Sequence, residues 1–126
     1  MDPPGHTVLV VDDDASIRFL CRVNLELDGW TVREAANLAD AREALLDGRV
    51  AVALLDVHIG ASNGLDFLEE LRRDHPDLPV ALLTGSVGTP VLSGVAPDAM
   101  LPKPFKPEQL SETIRTLASR PAHTAG

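Results

Sequence analysis

The chain has 126 residues, 44% hydrophobic and 24% charged, with a formal net charge of −8. That length suits one domain with a real core, and the acidity argues against direct contact with nucleic acid, whose phosphates require Lys and Arg. No apolar stretch approaches the ~18 residues of a membrane span and no basic leader precedes one, so the expected location is cytoplasmic, away from membranes. A single cysteine, Cys21, allows no internal disulfide.

Residues 1–6 read as a tail. Residues 7–11 are apolar and β-branched between Gly5 and Asp12, which suits a strand buried on both faces. From residue 15 to 28, Ile17, Leu20, Cys21 and Leu25 recur at helical spacing, with Asp14 as the N-terminal cap and Gly29 as the stop. Cys21 in that stripe is a core residue. Residues 30–34 form a second strand. Asn37 caps a helix that carries Leu38, Ala41 and Leu45 and closes at Gly48. Residues 50–55 form a third strand. Residues 63–74 are helical, with Asn63-Gly64 opening the helix, Leu65, Leu68 and Leu71 inward, and Pro76 and Pro79 ending it.

Residues 79–83 make the fourth strand. Residues 85–97, with three glycines and two prolines, carry little regular signal beyond a short helix near 90–93. Residues 100–101 are a brief fifth strand. Pro107 sits at a first helical position, ahead of an apolar face of Leu110, Ile114 and Leu117, and residues 120–126 read as a frayed tail. Strands alternating with helices through short loops predict a five-stranded parallel sheet, doubly wound as a (βα)5 three-layer sandwich over residues 7–119.

Four of the predicted strands run into polar residues with chemistry: Asp12-Asp13-Asp14, Asp56, Thr84 and Lys103. In a parallel sheet these ends share one edge, where open α/β sheets bind their ligands. The segments VLVVDDD, LLDVHIGASNG, LLTGS and KPF stand in this order along nearly the whole chain. Together they resemble the receiver domain of two-component response regulators, with the flavodoxin-like fold of the chemotaxis response regulator.

The resemblance implies a phosphoprotein of two-component or phosphorelay signal transduction. Asp56 is the phosphoacceptor, with a histidine kinase or phosphotransfer protein as donor and an unknown protein as downstream target. It implies Mg²⁺, for which Mn²⁺ can substitute, with Asp13 and Asp56 as direct ligands, Asp12 acting mainly through water, and the His58 backbone carbonyl as a further ligand. Three adjacent carboxylates would otherwise repel one another and raise their pKa values, whereas a hard, oxygen-seeking cation reverses that. Lys103, followed by a cis-held Pro104 and Phe105, would meet the phosphoryl oxygens as a compact charge. Thr84 would hydrogen-bond them, and the His58 side chain would modulate hydrolysis at the mouth of the site. The chain would phosphorylate and dephosphorylate itself, with no external substrate.

Three departures from the family pattern stand out. Met100 replaces the usual aromatic of the switch, which rules out a turning ring but leaves room for a packing change to follow Thr84. Gly60 replaces a frequent proline, which predicts a looser loop. The interval from Thr84 to Lys103 is a few residues short, which predicts an abbreviated or partly disordered fourth helix. Three alternatives stand beside this reading. A degenerate receiver would bind a partner without phosphorylation, although every reactive position is present. An aspartate-nucleophile phosphatase generally has a second aspartate where His58 stands. A nucleotide-binding domain requires a glycine-rich turn where this chain has three aspartates.

Overall fold

A computed structural model describes residues 6–60, 62–85 and 96–119. Five parallel strands form the sheet: β1 (Thr7–Val11), β2 (Thr31–Ala35), β3 (Val50–Asp56), β6 (Val80–Thr84) and β7 (Ala99–Pro102), in the order β2-β1-β3-β6-β7. Between β3 and β6 lies a small antiparallel hairpin, β4 (His58–Ile59) and β5 (Ser62–Asn63), in which His58 pairs with Asn63 and Ile59 with Ser62. Four helices complete the described residues: α1 (Ala15–Leu27), α2 (Leu38–Ala44), α3 (Gly64–Asp74) and α4 (Pro107–Ala118). The abbreviated fourth helix expected near residues 90–93 lies outside the described residues.

The central strands are apolar on both faces because both faces are covered. Alternate side chains of β1 divide between two cores. Leu9 and Val11 join Ala53, Leu55, Val80 and Leu82 beneath α2 and α3, where Ala41, Phe67, Leu68 and Leu71 close the layer. Val8 and Val10 join Val52, Leu54, Ala81 and Leu83 beneath α1 and α4, with Cys21, Leu25, Leu110 and Ile114. This period-two division is what a parallel sheet in a three-layer sandwich requires. Burial raises the Cys21 thiol to about 12, so it stays protonated and acts as an apolar core group.

The expected caps form. The Asp14 carboxylate accepts from the Ser16 amide at 2.8 Å, Asn37 from Asp40 at 2.8 Å, and Asn63 from Leu65 at 2.8 Å. Gly29 at φ 95° and Gly48 at φ 70° provide the left-handed residues beyond α1 and α2. The second strand begins one residue later than expected. Trp30 instead closes the α1 turn, its amide donating to the Leu25 carbonyl at 3.0 Å while its ring packs on the second core. Chain reversal between β1 and β3 puts the topological switch point beside the carboxyl ends of those two strands.

Candidate functional site

The described geometry gathers the strand ends at that switch point. Asp12 and Asp13 follow β1, Asp56 is the last residue of β3, Thr84 the last of β6, and Lys103 follows β7. Thr84 closes its strand rather than following it, and its carbonyl accepts the Lys103 amide at 2.8 Å. Oxygens of Asp12, Asp13 and Asp56 all lie within 4.8 Å of one another, with Asp12 and Asp56 buried and Asp13 exposed.

Lys103 reaches across the sheet to two of the three carboxylates. Its Nζ donates to Asp12 Oδ2 at 2.9 Å and lies 3.3 Å from Asp56 Oδ2. Burial lowers the Lys103 pKa, but the hydrogen bond and charge of Asp12, with those of Asp56, outweigh it and leave it above the usual lysine value. The ammonium therefore remains charged. Asp56 moves the other way from an ordinary carboxylate: burial raises its pKa most, the Asp12 charge adds to that, and Lys103 and the His58 amide only partly oppose it. One ammonium does not neutralise three carboxylates.

Further backbone groups hold the cluster. The Asp14 amide donates to Asp12 Oδ1 at 2.9 Å, the His58 amide to Asp56 Oδ1 at 3.4 Å, and the Gly60 amide to Asp13 Oδ2 at 2.8 Å. The Lys103–Pro104 peptide is cis, and Phe105 packs against the second core. Arg18 in α1 donates to the Asp12 carbonyl at 2.7 Å and pairs with Glu34 at 3.2 Å, tying the β1 end to β2. Met100 stands opposite Leu82 in the register and is 37% exposed. It lines a groove of 630 Å³ between β7 and α4 with Gln109, Thr113 and Thr116.

The donor set fits a hard divalent cation. Three carboxylates supply oxygen ligands only, two are fixed by burial, and the third leaves an exposed side for water or phosphate.

Three contributors escaped the reading of the sequence. Gly60 does not simply loosen its loop: it takes φ 59° at the tip of the β4–β5 hairpin and binds Asp13 through its amide. Gly64 donates to the Val57 carbonyl at 2.6 Å, and a Cβ on it would strike the Asp56 carbonyl oxygen and lie 2.9 Å from that of Val57. Arg18 is the third, an arginine on a helix whose surface face gives no sign of its bond to the Asp12 carbonyl. For Gly64, the one legible sign was a glycine at the first helical position, where a better helix former is expected.

The fold and the strand-end cluster define a receiver domain. The family model of the response regulator receiver domain matches residues 8–115, and the chain belongs to that family. It is 40% identical over 118 residues to the transcriptional regulatory protein CpxR of Klebsiella pneumoniae, covering 91% of this chain and 50% of the relative. It is 31% identical over 121 residues to the phosphate regulon transcriptional regulatory protein PhoB of Pseudomonas aeruginosa, covering 92% and 53%. The chain thus spans about half the length of these curated relatives. Among solved structures, the receiver domain of NtrX from Brucella abortus matches with a TM-score of 0.81 at 27% identity, over 90% of this chain and 99% of that one. Receiver domains are signalling proteins of two-component systems that bind Mg²⁺ through an acidic cluster and are phosphorylated by histidine kinases. No helix among the described residues is long and apolar enough to cross a membrane.

Proposed function

We propose that residues 7–119 form a cytoplasmic receiver that accepts a phosphoryl group on Asp56 from a histidine kinase or phosphotransfer protein. Phosphorylation then changes its affinity for a downstream protein. The observation that carries this reading is the placement of Asp56 between Lys103, at 3.3 Å, and the carboxylates of Asp12 and Asp13.

Asp12, Asp13 and Asp56 would hold Mg²⁺ or Mn²⁺, with the His58 carbonyl as a further ligand. When bound, the cation neutralises carboxylate charge and stabilises the transferring phosphoryl oxygens. Asp56 attacks phosphorus with a carboxylate oxygen, an acyl phosphate bond forms, and the donor's bond to phosphorus breaks with its electron pair leaving on the donor. Lys103, charged and already held by Asp12, is positioned to meet the added negative charge. Thr84, at the adjacent strand end, provides a hydroxyl for a phosphoryl oxygen. Water attack at phosphorus, modulated by the exposed His58, returns the free carboxylate. No external substrate is turned over.

Access for a protein donor is supported by α1, which starts beside the site and exposes Phe19 (67%), Leu20, Val23 and Leu27 (81%) along one side. An apolar stripe left to solvent is characteristic of a protein interaction surface.

Intact-mass measurement after incubation with acetyl phosphate and Mg²⁺ tests this reading. One added phosphoryl group is expected, absent in Asp56→Ala and in EDTA. An unmodified wild-type mass, with both acetyl phosphate and a cognate kinase as donors, overturns it.

A further inference from the structure

We infer, building on the cation reading above, that the Gly60 backbone amide is the positioning group for Asp13, so that the tip of the β4–β5 hairpin is part of the cation site.

The three carboxylates differ in what holds them. Asp12 is buried and gripped by Lys103 and the Asp14 amide, and Asp56 is buried and met by Lys103 and the His58 amide. Asp13 is exposed, and its carboxylate is met instead by the Gly60 amide, 47 residues away in the chain, at 2.8 Å. An exposed aspartate otherwise spreads over several rotamers. A cation with strict octahedral demands favours oxygens that are already placed. One N–H occupies one of about four lone-pair directions of a carboxylate, so Asp13 keeps acceptors free for the cation. The bond therefore places the ligand without competing for it.

Several features aim that amide. Ile59, next to Gly60, is 3% exposed and packs in the core that contains Leu9 and Val11. The hairpin is closed by its two strand pairs and pinned at its base by the Gly64 amide on the Val57 carbonyl. Gly60 itself takes φ 59°, a left-handed conformation suited to a tight hairpin connection. A Cβ added there meets nothing within 4 Å. The site therefore constrains the backbone torsion and the N–H, not the volume of a side chain.

The test is calorimetric titration of the full chain with Mg²⁺ alone. Replacing the Gly60 peptide by an ester, through glycolate incorporation, deletes the N–H and keeps the torsional freedom. Its Mg²⁺ affinity is expected to fall about 10-fold, the usual effect of losing a group that orients a metal ligand. Gly60→Asn, which keeps the N–H and tolerates the left-handed conformation, should bind Mg²⁺ almost as the wild type does. A second reading needs no change at Gly60: in metal-free protein, the Gly60 amide resonance should shift markedly in Asp13→Asn. Ester protein that binds Mg²⁺ as tightly as wild type, or an unmoved resonance, overturns the inference. If Asp13→Asn weakens binding and the ester does not, the cation reading stands and the hairpin's role alone falls. If the wild type binds no Mg²⁺ at millimolar concentration, both fall.

Discussion

Gly64→Ala sets two physical effects of opposite sign against each other. Alanine is the better helix former by about 0.5–1 kcal/mol, and Gly64 is the first residue of α3, so propensity alone predicts a gain. The added methyl, however, would sit 2.9 Å from the Val57 carbonyl oxygen, 3.0 Å from Val57 Cα, and in collision with the Asp56 carbonyl oxygen. All three are backbone atoms of the segment that presents Asp56, and no side-chain rotamer can relieve them. Ordinary contact with the Asp56 carbonyl oxygen requires a displacement of about an ångström, and overpacking of this kind costs about 1–3 kcal/mol. The collision outweighs the propensity gain, for a net loss of about 1–2 kcal/mol. At this chain length that lowers the melting temperature by about 4–8 °C. Thermal and urea unfolding in EDTA measure it, and phosphorylation from acetyl phosphate should slow because relief moves Asp56. A midpoint equal to or above that of the wild type refutes the reasoning, since propensity would then have won.

The remaining predictions concern the carboxylates, the cation, the lower edge of the sheet and the core. In metal-free protein, Asp56→Asn should raise stability at neutral pH. Because the folded pKa of Asp56 is raised by burial and Asp12, the folded state binds this proton more tightly than the unfolded chain. Stability therefore falls as pH rises from the unfolded value of about 3.9 through the folded one. The advantage of Asp56→Asn over wild type should vanish in acid, and urea midpoints against pH check this. Saturating Mg²⁺, at about 100 times its Kd, should stabilise the wild type by about 2.7 kcal/mol, and chelation should reverse it in the same thermal scan. Asp98→Ala should cost about 2–4 kcal/mol, since its Oδ2 holds both Arg72 at 2.8 Å and the Val80 amide at 2.9 Å and its side chain is 8% exposed. Hydrogen exchange should then rise first at the β6–β7 pairing. Leu54→Ala, at a fully buried position, should cost about 2–5 kcal/mol, whereas Leu46→Ala on the surface should stay within about 0.5 kcal/mol by chemical denaturation.

Much of the architecture was legible because it depends on local periodicity. Five short strand segments, most of them apolar runs, separated by amphipathic stretches leave few ways to bury both faces, and right-handed crossovers then set a parallel sheet. Asp14, Asn37 and Asn63 announced the helix starts because a short polar side chain satisfies free amides at that position. Asp12, Asp13, Asp56, Thr84 and Lys103 could be named because strand ends in such a sheet converge on one edge. In each case the physical cause acts over a few residues or through topology alone.

The other determinants depend on distances across the fold. The β4–β5 hairpin has two-residue strands, too short to show a period, and Gly60 read as a looser loop because nothing local reveals an amide aimed at Asp13. Gly64 read as the start of a helix, and only the packing of α3 against the end of β3 shows that it must lack a side chain. The division of Lys103 between Asp12 and Asp56, and the lead of burial over the Asp12 charge in raising the Asp56 pKa, follow from contacts between groups far apart in the sequence. The sequence by itself therefore determined the fold, the family and which side chains stand at the strand ends that meet on one edge. The tertiary structure alone decided how those ends are held, because hydrogen-bond geometry, steric contact and desolvation exist only after distant segments meet.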